Sequence, residues 1–303
     1  MYKQITANKR KTVLLMTFFV IFLLVVGYFL DYANGSQGFF LVIAIGLAFF
    51  SSFISYFAGD KIALASTGAR AITKTDSPYV YRMVENLCIT AGLPMPKIYL
   101  IPDAAPNAFA TGRDPQHASI ALTTGIVAAL NNEELEGVIA HELSHVKNYD
   151  IRLMTIVGVL VGALVLMTDF FLRGQLFGFG GRRGNDDNNG GGQLGLILLV
   201  VGIVLAILSP LLAQIIQLSI SRRREFLADA DGALLTRYPE GLAGALEKIS
   251  AYSRPMAKAS NGTAHLFIIN PFGKKKSWLT GLFATHPPVE ARVKALREMI
   301  GQV

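Results

Sequence analysis

The sequence predicts an α+β chain, mainly α, in which four membrane-crossing helices carry a polar domain on one side of the bilayer. Three observations lead there. Of 303 residues, 52% are hydrophobic and only 16% are charged, against about 25% charged in an ordinary soluble domain. The apolar excess, expressed as a mean hydropathy of +0.43, is gathered into four runs: Thr12–Leu30, Gly38–Phe57, Leu153–Phe171 and Leu194–Leu212. Each is close to the ~20 residues that cross a hydrocarbon core. Two polar blocks, 59–150 and 219–303, lie outside those runs. A disordered chain is excluded by this hydrophobicity, and a disulfide scaffold by the lone Cys88.

Residues 1–58 form the first expected hairpin. Its basic start resembles a signal peptide, but the run is too long and no small-residue cleavage site follows Leu30. The turn between its arms contains Asp31, Asn34 and Gly35. Residues 151–218 form the second hairpin, with the Gly/Asn/Asp-rich stretch 172–193 as its external loop. A net charge of +7 and a pI near 9.5 fit basic residues that anchor spans, with the lipid bilayer and not nucleic acid as partner. Lys3, Lys9, Arg10 and Lys11 precede the first span, and Lys61 and Arg70 follow the second. Arg152 opens the third, and Arg222, Arg223 and Arg224 follow the fourth. The 31–37 loop has no Lys or Arg, and in the 172–193 loop Asp186 and Asp187 partly offset Arg173, Arg182 and Arg183. Both termini and both polar blocks are therefore expected in the cytoplasm.

The first block, 59–150, opens with a helix: Ser77 at the N-cap, Pro78 at the first turn, apolar Val80, Met83, Val84 and Leu87, and Gly92 past the end. Short strand-like runs follow at 97–101, 107–111 and 119–124. Asn131 or Asn132 then caps a helix whose first turn carries Glu133 and Glu134. The second block, 219–303, reads as helical at 222–235, 240–252 and 288–300, around a looser stretch at 254–285.

The capped helix contains His141-Glu-Leu-Ser-His145. Residues i and i+4 share one helix face, so two imidazoles can bind one zinc ion there. Glu142 would sit beside the metal, placed to take a proton from metal-bound water. A catalytic zinc wants a third protein ligand. The metzincin pattern is excluded because Asn148 and Ile151 stand where Gly and His are required. The third ligand must come from the same side of the membrane, an even number of spans away. Two spans on lies Ser-Arg-Arg-Arg-Glu225-Phe-Leu-Ala-Asp229. Spacing leaves two readings for Glu225: third ligand, or partner of a nearby arginine. Asp229, one turn on, would accept a hydrogen bond from a ligand imidazole.

His-Glu-Leu-Ser-His, a transmembrane hairpin and then Glu-Phe-Leu-Ala-Asp-Ala-Asp-Gly resemble the HtpX membrane zinc metallopeptidases, bacterial relatives of the CAAX prenyl endoproteases. Two further motifs extend the resemblance over essentially the whole chain: Pro-Asn-Ala-Phe-Ala-Thr-Gly (106–112) and Thr-His-Pro-Pro-Val-Glu-Ala-Arg (285–292). It implies a zincin-type domain with one Zn²⁺ per chain and Glu225 as third ligand. The implied activity is endopeptidase action in quality control of damaged or misfolded membrane proteins, in a bacterial inner membrane. Asn107 and Ala108 would belong to an edge strand that takes the substrate as an added strand, though Asn107 alone reads equally as a turn residue. By resemblance, His286 would stabilise the oxyanion with Arg292 supporting it.

His117 and His265 read as surface or loop residues, and Tyr149 and Asp150 receive no role. Trp278 beside Lys274–Lys276 reads as part of a segment next to the cleft, and Asp169 and Pro210 read as structural. The alternative to a peptidase is a non-catalytic zinc-binding scaffold for unfolded segments, against which an intact Glu142 argues. A transporter is disfavoured, because the spans carry almost no ionisable residue near their midpoints.

Overall fold

The computed structural model describes residues 2–177, 222–260, 262–273 and 287–300. The fourth expected span, most of the 172–193 loop, Pro210, Trp278, Lys274–Lys276 and His286 lie outside the described residues, as does the side chain of Asp169.

Helix α1 (Tyr2–Asn34) and helix α2 (Phe39–Thr67) form an antiparallel pair. The turn between them is set by Asp31, whose carboxylate accepts from the Phe40 and Leu41 backbone N–H groups at the start of α2 and from Ser36. That carboxylate meets N–H groups that have no partner within the helix. The helices approach closely at Gly27, where a Cβ would lie 2.5 Å from the Ala44 Cβ; small residues permit such contact between spans. Their outer faces leave Val13, Leu14, Ile21, Phe49, Phe50 and Phe53 exposed, as lipid-facing surfaces should be.

Of the four expected spans, the first two are supported by the described residues, and the fourth lies outside them. Among the described residues, two helices are long and apolar enough to cross a membrane, or three if a pair bent by 84° counts as one. That pair joins helix α5 (Asn132–Lys147) to helix α6 (Asp150–Phe177). Much of the apolar run in α6 is covered by protein: Leu153, Met154, Ile156, Val157, Leu160, Val161 and Leu164 pack in one cluster with Phe19 and Leu23 of α1, Ala48, Ala63 and Leu64 of α2, and Phe267. Hydropathy cannot tell burial in protein from burial in lipid.

The polar domain is built on a four-stranded sheet of order β1-β2-β4-β3, with β1 at Arg70–Ile72, β2 at Lys97–Ile101, β3 at Ala108–Gly112 and β4 at Ala118–Thr123. Strands β2 and β4 run parallel, and the other pairs are antiparallel. Three strands fall where expected, and β1 adds a short edge. Helix α3 (Pro78–Ala91) has Pro78 in its first turn and left-handed Gly92 as its C-cap, although the Ser77 side chain makes no cap hydrogen bond. Helix α4 (Thr124–Ala129), capped by the Thr123 hydroxyl, leads into α5. Helices α7 (Arg222–Thr236), α8 (Pro239–Ala251) and α9 (Val289–Glu298) complete the domain. Val80, Val84 and Leu87 of α3 join Ile98, Ile120 and Leu122 of the sheet, Leu135, Val138 and Ile139 of α5, and Leu242 and Leu246 of α8 in its core.

Candidate active site

Helix α5 is fixed at its start by a full capping box: the Asn131 side chain accepts from the Glu134 N–H, and the Glu134 carboxylate accepts from the Asn131 N–H. Glu134 also pairs with Lys248 of α8 at 2.7 Å. Two glycines let neighbours close in. A Cβ on Gly137 would lie 2.7 Å from the Leu242 backbone N, and one on Gly232 of α7 would lie 3.0 Å from the His141 backbone N. The second approach brings α7, with Glu225, against the histidine helix.

His141, His145 and Glu225 are all buried. Their ligand-capable atoms lie within 4.8 Å of one another. The two Nε2 atoms are 3.2 Å apart, and the Glu225 carboxylate oxygens stand 3.9 Å from His141 Nε2 and 3.7 Å from His145 Nε2. Atoms about 2.0–2.1 Å from a tetrahedral ion lie about 3.3 Å apart, so the triangle has the size of a zinc ligand set. Each imidazole turns its other nitrogen to a carboxylate. His141 Nδ1 is 3.0 Å from Asp229 Oδ1, and His145 Nδ1 is 2.9 Å from Asp150 Oδ2. With a proton on each Nδ1, both Nε2 lone pairs point at one spot.

The surrounding charges agree with that reading. Arg292, 0% exposed, grips Asp229 with two donors, Nε at 2.8 Å and Nη2 at 2.6 Å. Its Nη1 stands 3.6 Å from Glu225. On the other flank, Arg224 pairs with Asp150 at 2.8 Å, and the Asn8 side chain donates to Asp150 and to the Asn148 carbonyl. Four buried carboxylates, Glu142, Asp150, Glu225 and Asp229, thus face two guanidinium groups. A divalent cation would balance the remaining negative charge, and the donor set fits one.

Burial lowers the affinity of the His141 imidazole for a proton, against the opposing pull of Asp229. At His145 burial acts the same way, but the Asp150 and Glu225 carboxylates outweigh it and the value rises. Glu142 is buried beside the triangle and accepts from the Ala110 N–H; burial is the main cause that pushes its carboxyl up to about 7. A carboxyl in that range both takes and returns protons near neutrality.

The structure thus brings together His141, Glu142, His145, Glu225, Asp229 and Arg292. Arg292 serves the carboxylates of Asp229 and Glu225. Strand β3 is a sheet edge, but its outward groups are already in use. The Asn107 amide donates to the Ile269 carbonyl at 2.9 Å, the Ala108 carbonyl accepts from the Ile268 N–H at 3.0 Å, and Gly112 N–H donates to Thr155. In this structure the 268–269 segment occupies the Asn107 amide and the Ala108 carbonyl. His265 is also not a surface residue; it is buried and its Nε2 donates to the Met154 carbonyl at 2.8 Å. Asp150, to which sequence gave no role, orients His145, and Asn8 and Arg224 hold it there.

Residues 74–300 match the family model described as Peptidase family M48. The chain belongs to peptidase family M48. It is a metallopeptidase, and its apolar helices make it a membrane protein. This M48 peptidase is 47% identical over 300 residues to the Protease HtpX homolog of Caldanaerobacter subterraneus subsp. tengcongensis, covering 99% of this chain and 98% of that protein. It is 44% identical to the Protease HtpX homolog of Tropheryma whipplei, over 100% of this chain and 99% of that one. A crystal structure of S. mikatae Ste24p shares the fold at a TM-score of 0.50 and 18% identity, over 98% of this chain and 67% of that one.

Proposed function

We propose that this M48 peptidase is a zinc-dependent endopeptidase that hydrolyses damaged or misfolded membrane proteins from the cytoplasmic side of a bacterial inner membrane. The observation that carries the reading is the convergence of two imidazole Nε2 atoms and the Glu225 carboxylate on one spot, with Glu142 buried beside it. His141, His145 and Glu225 would hold one zinc ion per chain, which supplies Lewis acidity and an acidified water when bound. Glu142 takes the proton from the attacking water and passes it to the leaving amine. Asp229 and Asp150 keep the two imidazoles in their ligand tautomer, and Arg292 keeps Asp229 ionised and in place. His286 is assigned to the developing oxyanion by the family motif that carries it.

An unfolded segment would enter as a strand against β3, where the Ala108 carbonyl and the Asn107 amide become available once the 268–269 segment is displaced. Contact of Asn8 with Asn148 and Asp150 supports a topology in which the N-terminus shares a side with the metal ligands. Basic residues at the span ends support the cytoplasm as that side.

The test is cleavage of an unfolded protein in detergent by zinc-loaded wild type beside Glu142→Gln, each with and without a chelator. Activity confined to zinc-loaded wild type is expected. Turnover by a zinc-bound Glu142→Gln variant would remove Glu142 as the base. A folded, zinc-bound wild type that holds the substrate without cutting it would return the scaffold reading.

A further inference from the structure

A cavity of about 350 Å³ opens where α2, the β3–β4 turn and the start of α6 meet. It lies away from the histidine triangle, and its chemistry is cationic. Lys61 of α2, Lys97 of β2, Arg113 of the turn and Arg152 of α6 line it, with Asp60 as the acidic side chain on its wall. Lys61 and Lys97 are exposed. Arg113 Nη2 bonds the His117 ring at 2.9 Å and its Nε stands 3.6 Å from Asp114, and Arg152 donates to the Arg113 carbonyl. The wall therefore carries a surplus of positive charge in a volume typical of small-ligand sites.

Its position selects the ligand. The cavity sits at the end of the apolar part of α2, where Tyr56 and Phe57 form one side. The Arg113 guanidinium lies 5.2 Å over the Phe57 ring, and that of Arg152 lies 5.7 Å over the Tyr56 ring. Aromatic residues paired with cations mark the level of lipid headgroups. From this lip an exposed aromatic face runs up the helix through Phe57, Phe53 and Phe49, with ring centroids 4.7 and 6.2 Å apart. An acyl chain laid along that face brings a phosphate down to the four cations.

We propose that this cavity binds the anionic headgroup of a phospholipid. A bound headgroup would bridge the β3–β4 turn to α6, which already meet where Thr155 bonds Thr111 and the Gly112 N–H. It would thereby brace both the edge strand and the start of the helix that carries Asp150. The binding readout below is independent of peptide hydrolysis, so its failure leaves the peptidase reading untouched.

The experiment measures lipid retention by native mass spectrometry of the full-length protein, in micelles containing equal phosphatidylglycerol and phosphatidylcholine. Wild type should retain phosphatidylglycerol preferentially. Lys61→Gln/Lys97→Gln removes two exposed cations and should cut that preference roughly 30-fold, at about 5-fold per charge. Lys74→Gln/Lys294→Gln loses the same charge on exposed residues elsewhere and should keep the preference. A soluble arm adds inorganic phosphate or glycerol phosphate. Failure of millimolar soluble phosphate to displace phosphatidylglycerol is expected. Equal retention of both lipids by wild type, an unchanged preference in Lys61→Gln/Lys97→Gln, or an equal fall in the control would each overturn the proposal. Full displacement by free phosphate would reassign the cavity to a soluble anion.

Discussion

Replacing Asp150 by Asn separates its role in orienting a ligand from its role in folding. Three groups converge on this carboxylate: His145 Nδ1 at 2.9 Å and the Asn8 amide hydrogen-bond to it, and the Arg224 guanidinium pairs with it in charge at 2.8 Å. A carboxylate only accepts and carries a negative charge, so it serves both donors and the guanidinium. An amide offers one acceptor oxygen, and its NH₂ must face a donor. Asp150→Asn therefore leaves at least one donor unmatched and removes the negative charge beside Arg224. An unmatched buried group costs about 1–3 kcal/mol, which should lower the melting temperature of metal-free protein. The His145 imidazole also loses its orienting anion, and changes of this kind cost about 10–100-fold in metal affinity, or about 1.4–2.8 kcal/mol. Chelator competition gives the zinc affinity, and thermal unfolding with and without zinc separates the two effects. A purely structural Asp150 would lower both melts equally. A zinc affinity within about twofold of wild type, from a variant that still folds, would refute the assignment.

Removing the metal should lower the melting temperature markedly, because ligand at about 1,000 times its dissociation constant contributes about 4 kcal/mol; a melt indifferent to chelator would mean that the triangle holds no ion. Arg292→Lys keeps the charge but loses the two-donor grip on Asp229, so stability should fall by about 1–3 kcal/mol and zinc affinity should fall with it. Gly232→Val should weaken zinc binding more than it lowers helix content, since a Cβ there already stands 3.0 Å from the His141 backbone; wild-type affinity would show that α7 can shift without moving Glu225. Cys88 is buried and desolvation pushes its thiol up to about 11, so the neutral form dominates at pH 8 and maleimide should label it only after unfolding. Rapid labelling of native protein would contradict that burial.

What could be read from the sequence was local or topological. The metal helix was legible because a capping box and an i,i+4 pair are both contained in one stretch, 131–145. Glu225 became legible through the requirement that ligands share one side of a membrane, although spacing left it open and the family motif was needed to decide. Asp150 was invisible for a geometric reason. In an unbroken helix, i+5 points roughly 140° away from i, so a carboxylate there would not meet His145. The chain instead bends by 84° between α5 and α6, and Tyr149 takes a left-handed φ of 59° at the corner. That corner turns Asp150 back under the ring. Nothing in the residues before it announces the bend. Lys9 and Arg152 stack near the Tyr149 ring at 4.6 and 5.1 Å, and these contacts exist only after folding.

The groups that hold His145 come from segments adjoining the membrane: Asn8 from α1, Asp150 from the first turn of α6, and Arg224 from α7. Those that hold His141 come from α7 and α9, within the polar domain. Helix α7 therefore serves both histidines, through Arg224 and Asp229, while the support of His145 also draws on α1 and α6. A change in the packing of α1 or α6 would act on His145 and leave the Asp229–Arg292 pair in place. Among the described residues, His145 is the histidine of the triangle linked in this way to α1 and α6. The same short stretch that ends α5 also starts α6, so the 84° corner ties the position of His145 to the packing of α6 against α1 and α2.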